Sequence, residues 1–415
     1  MNKIRSFLLI LCCVTLLASF NRCQEDESVV IRTPEALDIA LNDIYGRSTF
    51  AGFSVSVVKK GEVAFQRSYG KADVAKGVDL TNQTSMNIAS ISKVFIGVAL
   101  TKAMEEGHFT LETSINDLLP FSVINPHAPE TPIQVKHLVT HTSGILDDEA
   151  TYFSNYSILS GEDLSTPVAQ RLINELNPKT DGYVRSLADF IQAYLTPEGA
   201  LYQATNFGVG PAGSTYAYSN IASALAAYLI EVTTGEGFEE YTQRVIFDPL
   251  RMDRTAWKQA QRERGYLSLQ YWNRDNPLPF YTIATYPEGT LTTSVEDLTV
   301  FMLEMIKGQA GESDFLLTKE SYRVLFDKKL DSRPPGMPER EDNYGVFWVW
   351  STSGRIGHTG GDVGSTTFLG FNPDTHTGSM VLINSNVVEV DEEDEVSSSH
   401  LVEINQAYRS FERVE

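Results

Sequence analysis

Strand patterns lie near both ends of this 415-residue chain and helical patterns lie between them, and this order restricts the fold more than any other feature. Near the amino end, apolar and polar residues alternate over 53–65 around a Lys60-Gly61 turn, which is typical of a hairpin. Later strand patterns occur over 346–350, 366–371 and 379–383. We therefore predict an α/β (α+β) fold in which one antiparallel sheet, built from both chain ends, is flanked by helices. The middle of the chain, about 110–285, is predicted to form a mainly helical inserted subdomain.

Apolar residues recur at helical spacing in several segments. Helices are predicted over 34–45, from Ile91, from Ile221 and over 401–411, and Ser294 is expected to cap another. The stretch 146–217 is polar and irregular, and we interpret it as a lid or as part of a ligand-binding surface. The acidic run 391–395 is predicted to be a solvated loop.

The composition bounds the class of protein. With 42% hydrophobic and 21% charged residues, the chain can bury the core of a globular protein. No linker interrupts the middle, so we predict that residues 24–415 form a single domain. The net charge of −21 repels phosphate backbones, which argues against nucleic-acid binding.

Residues 1–23 have the pattern of an export signal. Lys3 and Arg5 form a basic start, and the apolar run over 7–17 is too short to span a membrane as a helix. We therefore predict that this segment is removed and that the mature protein is exported.

All three cysteines, Cys12, Cys13 and Cys23, fall within this segment. A mature chain keeps one cysteine or none, which excludes an intrachain disulfide and a cysteine-based metal site. Acidic residues follow Cys23, as in some bacterial surface lipoproteins, whereas ordinary cleavage near Ala18 is the alternative. The protein is thus expected to be periplasmic, or attached to the membrane of a bacterium through a lipid on Cys23.

The tetrad Ser90-Ile91-Ser92-Lys93 stands at the start of a helical pattern. Residues three apart share a helix face, so the Lys93 amine can meet the Ser90 hydroxyl. A serine is a poor nucleophile until a base takes its proton, and burial lowers the pKa of a lysine toward that of a base. The tetrad occurs by chance about once or twice in a chain of this size, commonly as a helix-start serine with a surface lysine. It therefore points to catalysis only together with other motifs.

The second motif is Tyr218-Ser219-Asn220, just before the predicted helix at Ile221. A phenol can relay a proton when a nearby cation lowers its pKa. The Asn220 amide can bind a substrate carbonyl and steady the lysine. The alternative is a core tyrosine followed by an asparagine that caps the helix.

The third motif, His358-Thr359-Gly360-Gly361, precedes a strand pattern. Glycine lets a backbone approach a ligand closely. We expect an N–H of Gly361 to join that of Ser90 in an oxyanion hole. His358 is a candidate for orienting or protonating a substrate, although a lone histidine is more often structural.

Together and in this order, the three motifs resemble those of the serine beta-lactamase-like superfamily. This superfamily includes class C beta-lactamases, D-Ala-D-Ala carboxypeptidases, D-aminopeptidases and related esterases. The resemblance covers about 52–384 and includes further stretches at 133–144, 241–250 and 289–298. It implies a beta-lactamase/transpeptidase-like fold and an exported serine hydrolase that forms an acyl-enzyme without a cofactor or metal.

By this resemblance, Ser90 is the nucleophile, Lys93 assists its deprotonation and Tyr218 relays the proton. The resemblance assigns substrate binding to Asn220, His358, Thr359, Gly360 and Gly361. Many members have lysine where this chain has His358, and a weakly basic histidine binds a substrate carboxylate less well, so efficient beta-lactam hydrolysis is not expected.

The expected substrate is a small molecule or a peptide. A D-Ala-D-Ala carboxypeptidase or D-aminopeptidase-like activity is the first hypothesis, and a broad carboxylesterase or weak beta-lactamase is the alternative. A non-catalytic binding protein that retained the fold is the competing class. The sequence leaves the oligomeric state open.

Other motifs were weighed and set aside. The stretch 208–213 matches Gly-x-Gly-x-x-Gly, but it follows no strand and contains proline, so it does not predict a dinucleotide site. Gly-x-Ser-x-Gly and His-Glu-x-x-His are both missing from the sequence. His137 and His141 lie in a stretch that is mainly structural in the family.

Overall fold

The computed structural model describes residues 30–257, 265–387 and 392–414. The predicted export signal and Cys23 lie outside these residues, so their role stays a prediction. None of the helices within the described ranges is long and apolar enough to cross a membrane.

An eight-stranded antiparallel sheet forms the centre of the fold, with the strand order β3-β2-β1-β13-β12-β11-β10-β9. It confirms the prediction of one sheet made from both chain ends, because β1 pairs with β2 on one side and with β13 on the other. The strands of this sheet are β1 (Gly52–Lys59), β2 (Glu62–Asp73), β3 (Val78–Asp79), β9 (Glu341–Tyr344), β10 (Val349–Ser351), β11 (Ile356–Asp362), β12 (Ser365–Asn372) and β13 (Thr377–Ile383).

Two small antiparallel sheets lie outside the large one, in the orders β4-β8-β6 and β5-β7. Their strands are β4 (Met86–Asn87), β5 (Tyr156–Ile158), β6 (Ala256–Trp257), β7 (Tyr281–Ile283) and β8 (Leu291–Thr293).

The predicted hairpin is confirmed, and its turn has a clear local cause. Lys60 and Gly61 both take positive φ angles, of 51° and 76°. This geometry matches the twist of the two flanking strands in a two-residue turn. It sets Lys59 opposite Glu62 and so fixes the register of β1 against β2.

Helices cover both faces of the large sheet. They are α1 (Pro34–Arg47), α2 (Ser92–Glu105), α3 (Val135–Val139), α4 (Glu149–Phe153), α5 (Pro167–Leu176), α6 (Leu187–Leu195), α7 (Asn220–Thr234), α8 (Phe238–Thr242), α9 (Asp248–Leu250), α10 (Val295–Gln309), α11 (Lys319–Phe326) and α12 (Glu392–Glu412). On one face, α1 and α12 pack over Val381 and Ile383, whereas Met380 and Leu382 face the larger core that contains α2, α7 and α10. This division follows from the alternation of side chains along a strand.

The first and last described helices lie side by side. The backbone N–H of Ile31 donates to Ser410 Oγ at 3.0 Å, and Arg47 forms a two-pronged ion pair with Glu403 at 2.6 and 3.3 Å. The two ends of the described part of the chain therefore meet on the α1–α12 face of the sheet.

Two predictions about local structure were wrong, and a third was incomplete. The stretch 146–217 is irregular over more than half of its length, as predicted, but it also contains the short elements α4, α5, α6 and β5. The pattern over 346–350 is interrupted at Phe347, which has a φ of 62°, so β10 begins only at Val349. The acidic run, from Glu392 onward, forms the start of α12 and is not a loop.

Candidate active site

Ser90 lies in a single 3₁₀ turn, Ala89–Ile91, that leads directly into α2. The preceding residue, Ala89, has a φ of 46°, an uncommon conformation for a residue with a Cβ. Two hydroxyls of β12 hold this turn: Ser365 Oγ donates to the Asn87 carbonyl at 2.6 Å and Thr367 Oγ1 donates to the Ile88 carbonyl at 2.9 Å. The sheet therefore fixes the backbone that presents the Ser90 hydroxyl.

The glycine of the third motif allows β11 to approach the turn of Ser90. A Cβ on Gly360 would lie 2.4 Å from the Ile88 carbonyl oxygen and 3.1 Å from the Ser90 nitrogen. No side chain fits there without moving the backbone, so the Gly360 position requires glycine. The motif itself lies on β11, a strand that the sequence patterns did not separate from β12.

Lys93 is fully buried on the first turn of α2, with its amine at the centre of the site. Its Nζ lies 3.0 Å from Ser90 Oγ and 2.7 Å from Asn220 Oδ1. The structure therefore brings together Ser90, Lys93 and Asn220 from motifs more than 100 residues apart in the chain.

Glu288 is a buried residue of the site that the sequence patterns did not reveal. Its carbonyl oxygen lies 2.8 Å from Lys93 Nζ, and its carboxylate oxygen Oε2 lies 3.1 Å from the same nitrogen. The other carboxylate oxygen, Oε1, accepts hydrogen bonds from Tyr152 at 2.7 Å and from Thr285 at 3.2 Å. The one feature of the sequence that could have pointed to Glu288 is its position directly before the family-like stretch 289–298.

The pKa of Lys93 is shifted in the direction opposite to the sequence-based expectation. Burial lowers it, as expected, but Tyr218 and the carboxylate of Glu288 raise it above 10.5, the ordinary value for lysine. Lys93 and Glu288 thus form a buried ion pair.

Tyr218 is held in position by the ring of His141. The Tyr218 ring lies beside Ser90 and Lys93, with Lys93 Nζ 5.2 Å from the centre of the ring. Burial raises the pKa of Tyr218 above its ordinary value although the charge of Lys93 opposes the shift, which is the opposite of the direction expected from the sequence. The ring of His141 packs against Tyr218 at 4.3 Å, and His141 Nδ1 accepts the backbone N–H of Ser219 at 3.2 Å. Burial holds the pKa of His141 well below 6.5, so this histidine is neutral.

Asn220 is the first residue of α7 rather than its cap. The cap is Ser219, whose hydroxyl accepts the N–H of Ala222. Asp147 adds a carboxylate at the same helix end, where it accepts the N–H of Asn220 at 2.7 Å, that of Ile221 at 3.1 Å and the Ser219 hydroxyl at 2.8 Å. The Asn220 amide is thereby left to face Lys93.

Asp147 gives the fold a pH dependence. Burial, and to a smaller extent the nearby Glu288, raise its pKa to about 6 although three donors oppose the shift. Since the ordinary pKa is 3.8, the folded protein binds this proton more tightly than the unfolded chain does. The contribution of Asp147 to the free energy of unfolding should therefore fall as the pH rises from about 4 to about 6, by up to about 3 kcal/mol.

Urea unfolding at several pH values, compared between the wild type and Asp147→Asn, isolates this contribution from those of the other carboxylates. The difference in unfolding free energy between the two proteins should change with pH across that window. A difference that is constant with pH would show that Asp147 does not titrate there.

His358 is buried beside the reaction centre. Burial, and next the charge of Lys93, lower its pKa to about 3, so the ring is neutral. Its Nδ1 lies 2.5 Å from the Thr359 carbonyl, which can only accept, so Nδ1 carries the hydrogen. The other nitrogen, Nε2, is then an acceptor with no partner among the described residues.

A cavity of about 190 Å³ opens in front of Ser90. One wall is apolar and aromatic, and it consists of Tyr152, Phe153, Tyr156, Leu176, Ile283 and Val363. Two cations belong to the site, and each has a carboxylate partner: Lys93 pairs with Glu288, and Arg340 lies 3.9 Å from Glu341. No group of three metal-ligating side chains occurs within the described ranges.

Comparison with known proteins shows to which family the chain belongs. The model of the family named Beta-lactamase matches residues 41–397. The chain belongs to the beta-lactamase family. Both the predicted family and the predicted fold are confirmed, and serine hydrolases are members of this family.

Two curated relatives of this beta-lactamase-family chain illustrate its range. It is 24% identical over 358 residues to Protein flp of Staphylococcus aureus (strain COL), covering 85% of the chain and 63% of that relative. The chain thus spans less than two thirds of the Staphylococcus aureus protein. It is 23% identical to the D-alanyl-D-alanine-carboxypeptidase/endopeptidase AmpH of Escherichia coli (strain K12), over 84% of the chain and 83% of AmpH.

Solved structures share the fold of this beta-lactamase-family chain. A penicillin-binding protein homologue from Pyrococcus abyssi superposes with a TM-score of 0.66 at 22% identity, over 88% of the chain and 76% of that protein. A beta-lactamase/D-alanine carboxypeptidase from Yersinia pestis gives a TM-score of 0.60 at 18% identity, over 96% and 98%.

Proposed function

We propose that this protein hydrolyses esters or amides through an acyl-enzyme on Ser90, acting outside the cytoplasm. The observation that carries the proposal is the position of Lys93 Nζ, which contacts both Ser90 Oγ and Asn220 Oδ1. These contacts join two motifs that are distant in the chain, and Gly360 of the third motif lies against the turn of Ser90, so the three motifs surround one serine hydroxyl at the cavity. The pattern of residues 1–23 supports action after export.

The chemistry requires one proton to travel from the nucleophile to the leaving group. The Ser90 oxygen bonds to the carbonyl carbon of the substrate while its proton passes to the Tyr218 oxygen. Tyr218 gives its own proton to the leaving group as the bond to that group breaks. The N–H groups of Ser90 and Gly361 bind the carbonyl oxygen as it becomes negative, and water later reverses these steps to release the acid.

The cavity favours a substrate without a carboxylate next to the scissile bond. His358 is neutral and offers a lone pair, and both cations of the site are paired with carboxylates. The wall of aromatic and aliphatic side chains suits an apolar acyl group. A small ester, or an amide of similar shape, fits these features best.

A D-Ala-D-Ala carboxypeptidase is the second candidate. The similarity to AmpH, which extends over most of both chains, favours it. Such a substrate ends in a carboxylate, so the two candidates differ in the charge that the site must accept.

One experiment tests the proposal and separates the candidates. The purified protein is treated with a fluorophosphonate and, separately, with a penicillin, and its intact mass is measured. We expect a single adduct on Ser90, formed faster by the fluorophosphonate, and faster hydrolysis of p-nitrophenyl esters than of D-Ala-D-Ala peptides. Preference for the peptides would favour the carboxypeptidase, and no adduct from either reagent would indicate a non-catalytic binding protein.

Replacing His358 with lysine should shift the preference toward substrates with a carboxylate. A charged donor in this position gains a charge-assisted hydrogen bond, so the ratio of kcat/KM for a D-Ala-D-Ala peptide to that for a neutral ester should rise about tenfold. His358→Gln is the matched control, because it changes the side chain without adding charge. If the ratio of the two kcat/KM values is the same in both variants, the side chain at position 358 does not discriminate between charged and neutral substrates.

A further inference from the structure

We infer that Glu288 is a positioning residue that holds Lys93 as a permanent ammonium, so that Tyr218 alone carries the proton of Ser90. This inference rests on the proposed function. It states which residue of the reaction centre keeps its proton and which one takes the proton of Ser90. It gives Lys93 an electrostatic role in place of the role of a base.

Lys93 Nζ has three hydrogen-bond acceptors besides the Ser90 oxygen, and these three together require three N–H groups. Nζ lies 2.7 Å from Asn220 Oδ1, 2.8 Å from the Glu288 carbonyl and 3.1 Å from Glu288 Oε2. The two Glu288 oxygens have no hydrogen to give, and Oδ1 is the acceptor of the Asn220 amide. A neutral amine has two N–H groups and would leave one of these buried acceptors unsatisfied, whereas an ammonium satisfies all three.

The surroundings of Glu288 fit an ionised carboxylate. Thr285 Oγ1 accepts from Asn155 Nδ2 at 2.6 Å, so its own hydrogen is directed at Glu288 Oε1. Tyr152 donates to the same oxygen at 2.7 Å. With Oε1 receiving two donors and Oε2 receiving the ammonium, both oxygens act as acceptors.

The ion pair changes what each residue can do. Glu288 is only 2% exposed and Lys93 is fully buried, so water does not screen their attraction. An ammonium cannot take the proton of Ser90, but it stabilises negative charge that develops on the Ser90 oxygen 3.0 Å away. Tyr218 can receive that proton while it passes its own to the leaving group, so the relay needs no other base.

Other titratable groups surround the pair and must be considered in any pH experiment. They are Asp147, Tyr152 and Tyr156 from the stretch that contains α4 and β5, Tyr218 from the loop before α7, Tyr281 from β7, and the neutral rings of His141 and His358. Among these, Asp147 has a pKa of about 6, so it affects the acidic side of a rate profile and leaves the alkaline side to Lys93 and the tyrosines.

The test is the rate at which a fluorophosphonate acylates Ser90, measured by intact mass across the pH range. In the wild type the rate should not decline on the alkaline side below pH 10.5, the ordinary pKa of lysine. In Glu288→Gln the anion is lost while the shape is kept, so the pKa of Lys93 should fall. The alkaline decline in rate should then begin at least about one pH unit lower than in the wild type. The plateau rate should be lower than that of the wild type by a factor of about ten at most.

Two further variants control for a merely structural effect. Glu288→Asp keeps the charge and should retain the wild-type alkaline limb even if its plateau is lower. Glu304 is another buried carboxylate, and it accepts the Tyr322 hydroxyl at 2.5 Å, but it lies outside the cavity. Glu304→Gln should therefore leave both the acylation rate and its pH profile unchanged.

The outcomes of this test distinguish the proposed function from the inference about Glu288 and Lys93. A Glu288→Gln profile with an unmoved alkaline limb overturns the inference, and so does a wild-type rate that declines between about pH 7 and 9. The wild-type arm decides the matter even if Glu288→Gln does not fold. Absence of any Ser90 adduct at every pH refutes the proposed function and the inference with it.

Discussion

Replacement of Ser90 by alanine is expected to abolish turnover while leaving the fold intact. Loss of a nucleophile that works with a proton relay lowers kcat by about 10⁴-fold to 10⁶-fold in serine hydrolases. The stability should change little, because Ser90 is half-buried and its hydroxyl contacts Lys93, which keeps its three other acceptors. Hydrolysis of a p-nitrophenyl ester, with circular dichroism and thermal unfolding alongside, measures both parts.

Ser92 supplies the matched control for this substitution. It lies two residues further along the chain, at the start of α2, but its hydroxyl is buried and accepts the N–H of Leu291 at 3.2 Å. Ser92→Ala should lower the unfolding free energy by about 1 kcal/mol and keep most of the activity. The assignment of Ser90 as nucleophile would not survive if Ser90→Ala retained wild-type turnover.

Replacement of Lys93 by methionine should have the largest effect on stability. It removes the cation and leaves the Glu288 carboxylate buried with no ion partner. Breaking a buried pair in this way costs about 3–5 kcal/mol, because the remaining charge has lost both water and its partner. The measurement is the urea midpoint of unfolding, with the slope checked for two-state behaviour.

The double variant Lys93→Met/Glu288→Gln distinguishes charge from packing. Removing the second charge should recover more than half of the lost stability, although activity stays absent. If the double variant is as unstable as Lys93→Met, the loss comes from packing of the methionine and the stranded charge is not its cause.

The motif residues could be predicted from the sequence because their chemistry depends on short spacings. Ser90 and Lys93 are one helical turn apart, and Asn220 follows Tyr218 by two residues, so each group is visible in a few letters. Glu288 could not be found in this way, since it meets Lys93 across 195 positions. Within Tyr286-Pro287-Glu288-Gly289 it has the appearance of an ordinary turn residue at the surface.

The strand that carries His358 was hidden by its composition. Three of the seven residues of β11 are glycine, which lowers the local preference for a strand. The structure needs those small residues, because β11 must pass close to the turn of Ser90. The glycines that the site requires therefore also weaken the strand pattern by which β11 could have been predicted from the sequence.

The helices of 146–217 were missed for a different reason. In α5 and α6, apolar positions alternate with exposed polar ones, and loops with Gly and Pro separate the two helices. The overall polarity of the stretch concealed a helical period that is evident within each ten-residue segment. The upward shift in the pKa of Lys93 was unpredictable for the same reason as Glu288, since it depends on tertiary contact.

The contact between the chain ends has a mechanical consequence. Because Ile31 lies against Ser410 and β1 lies beside β13, a force that pulls these ends apart loads α1 and α12 first. It would next open the β1–β13 ladder from the Phe53–Ile383 pair, one rung after another. Ser90 is held by β11 and β12, on the far side of β13 from this seam. The reaction centre therefore lies outside the path along which tension on the two ends is transmitted.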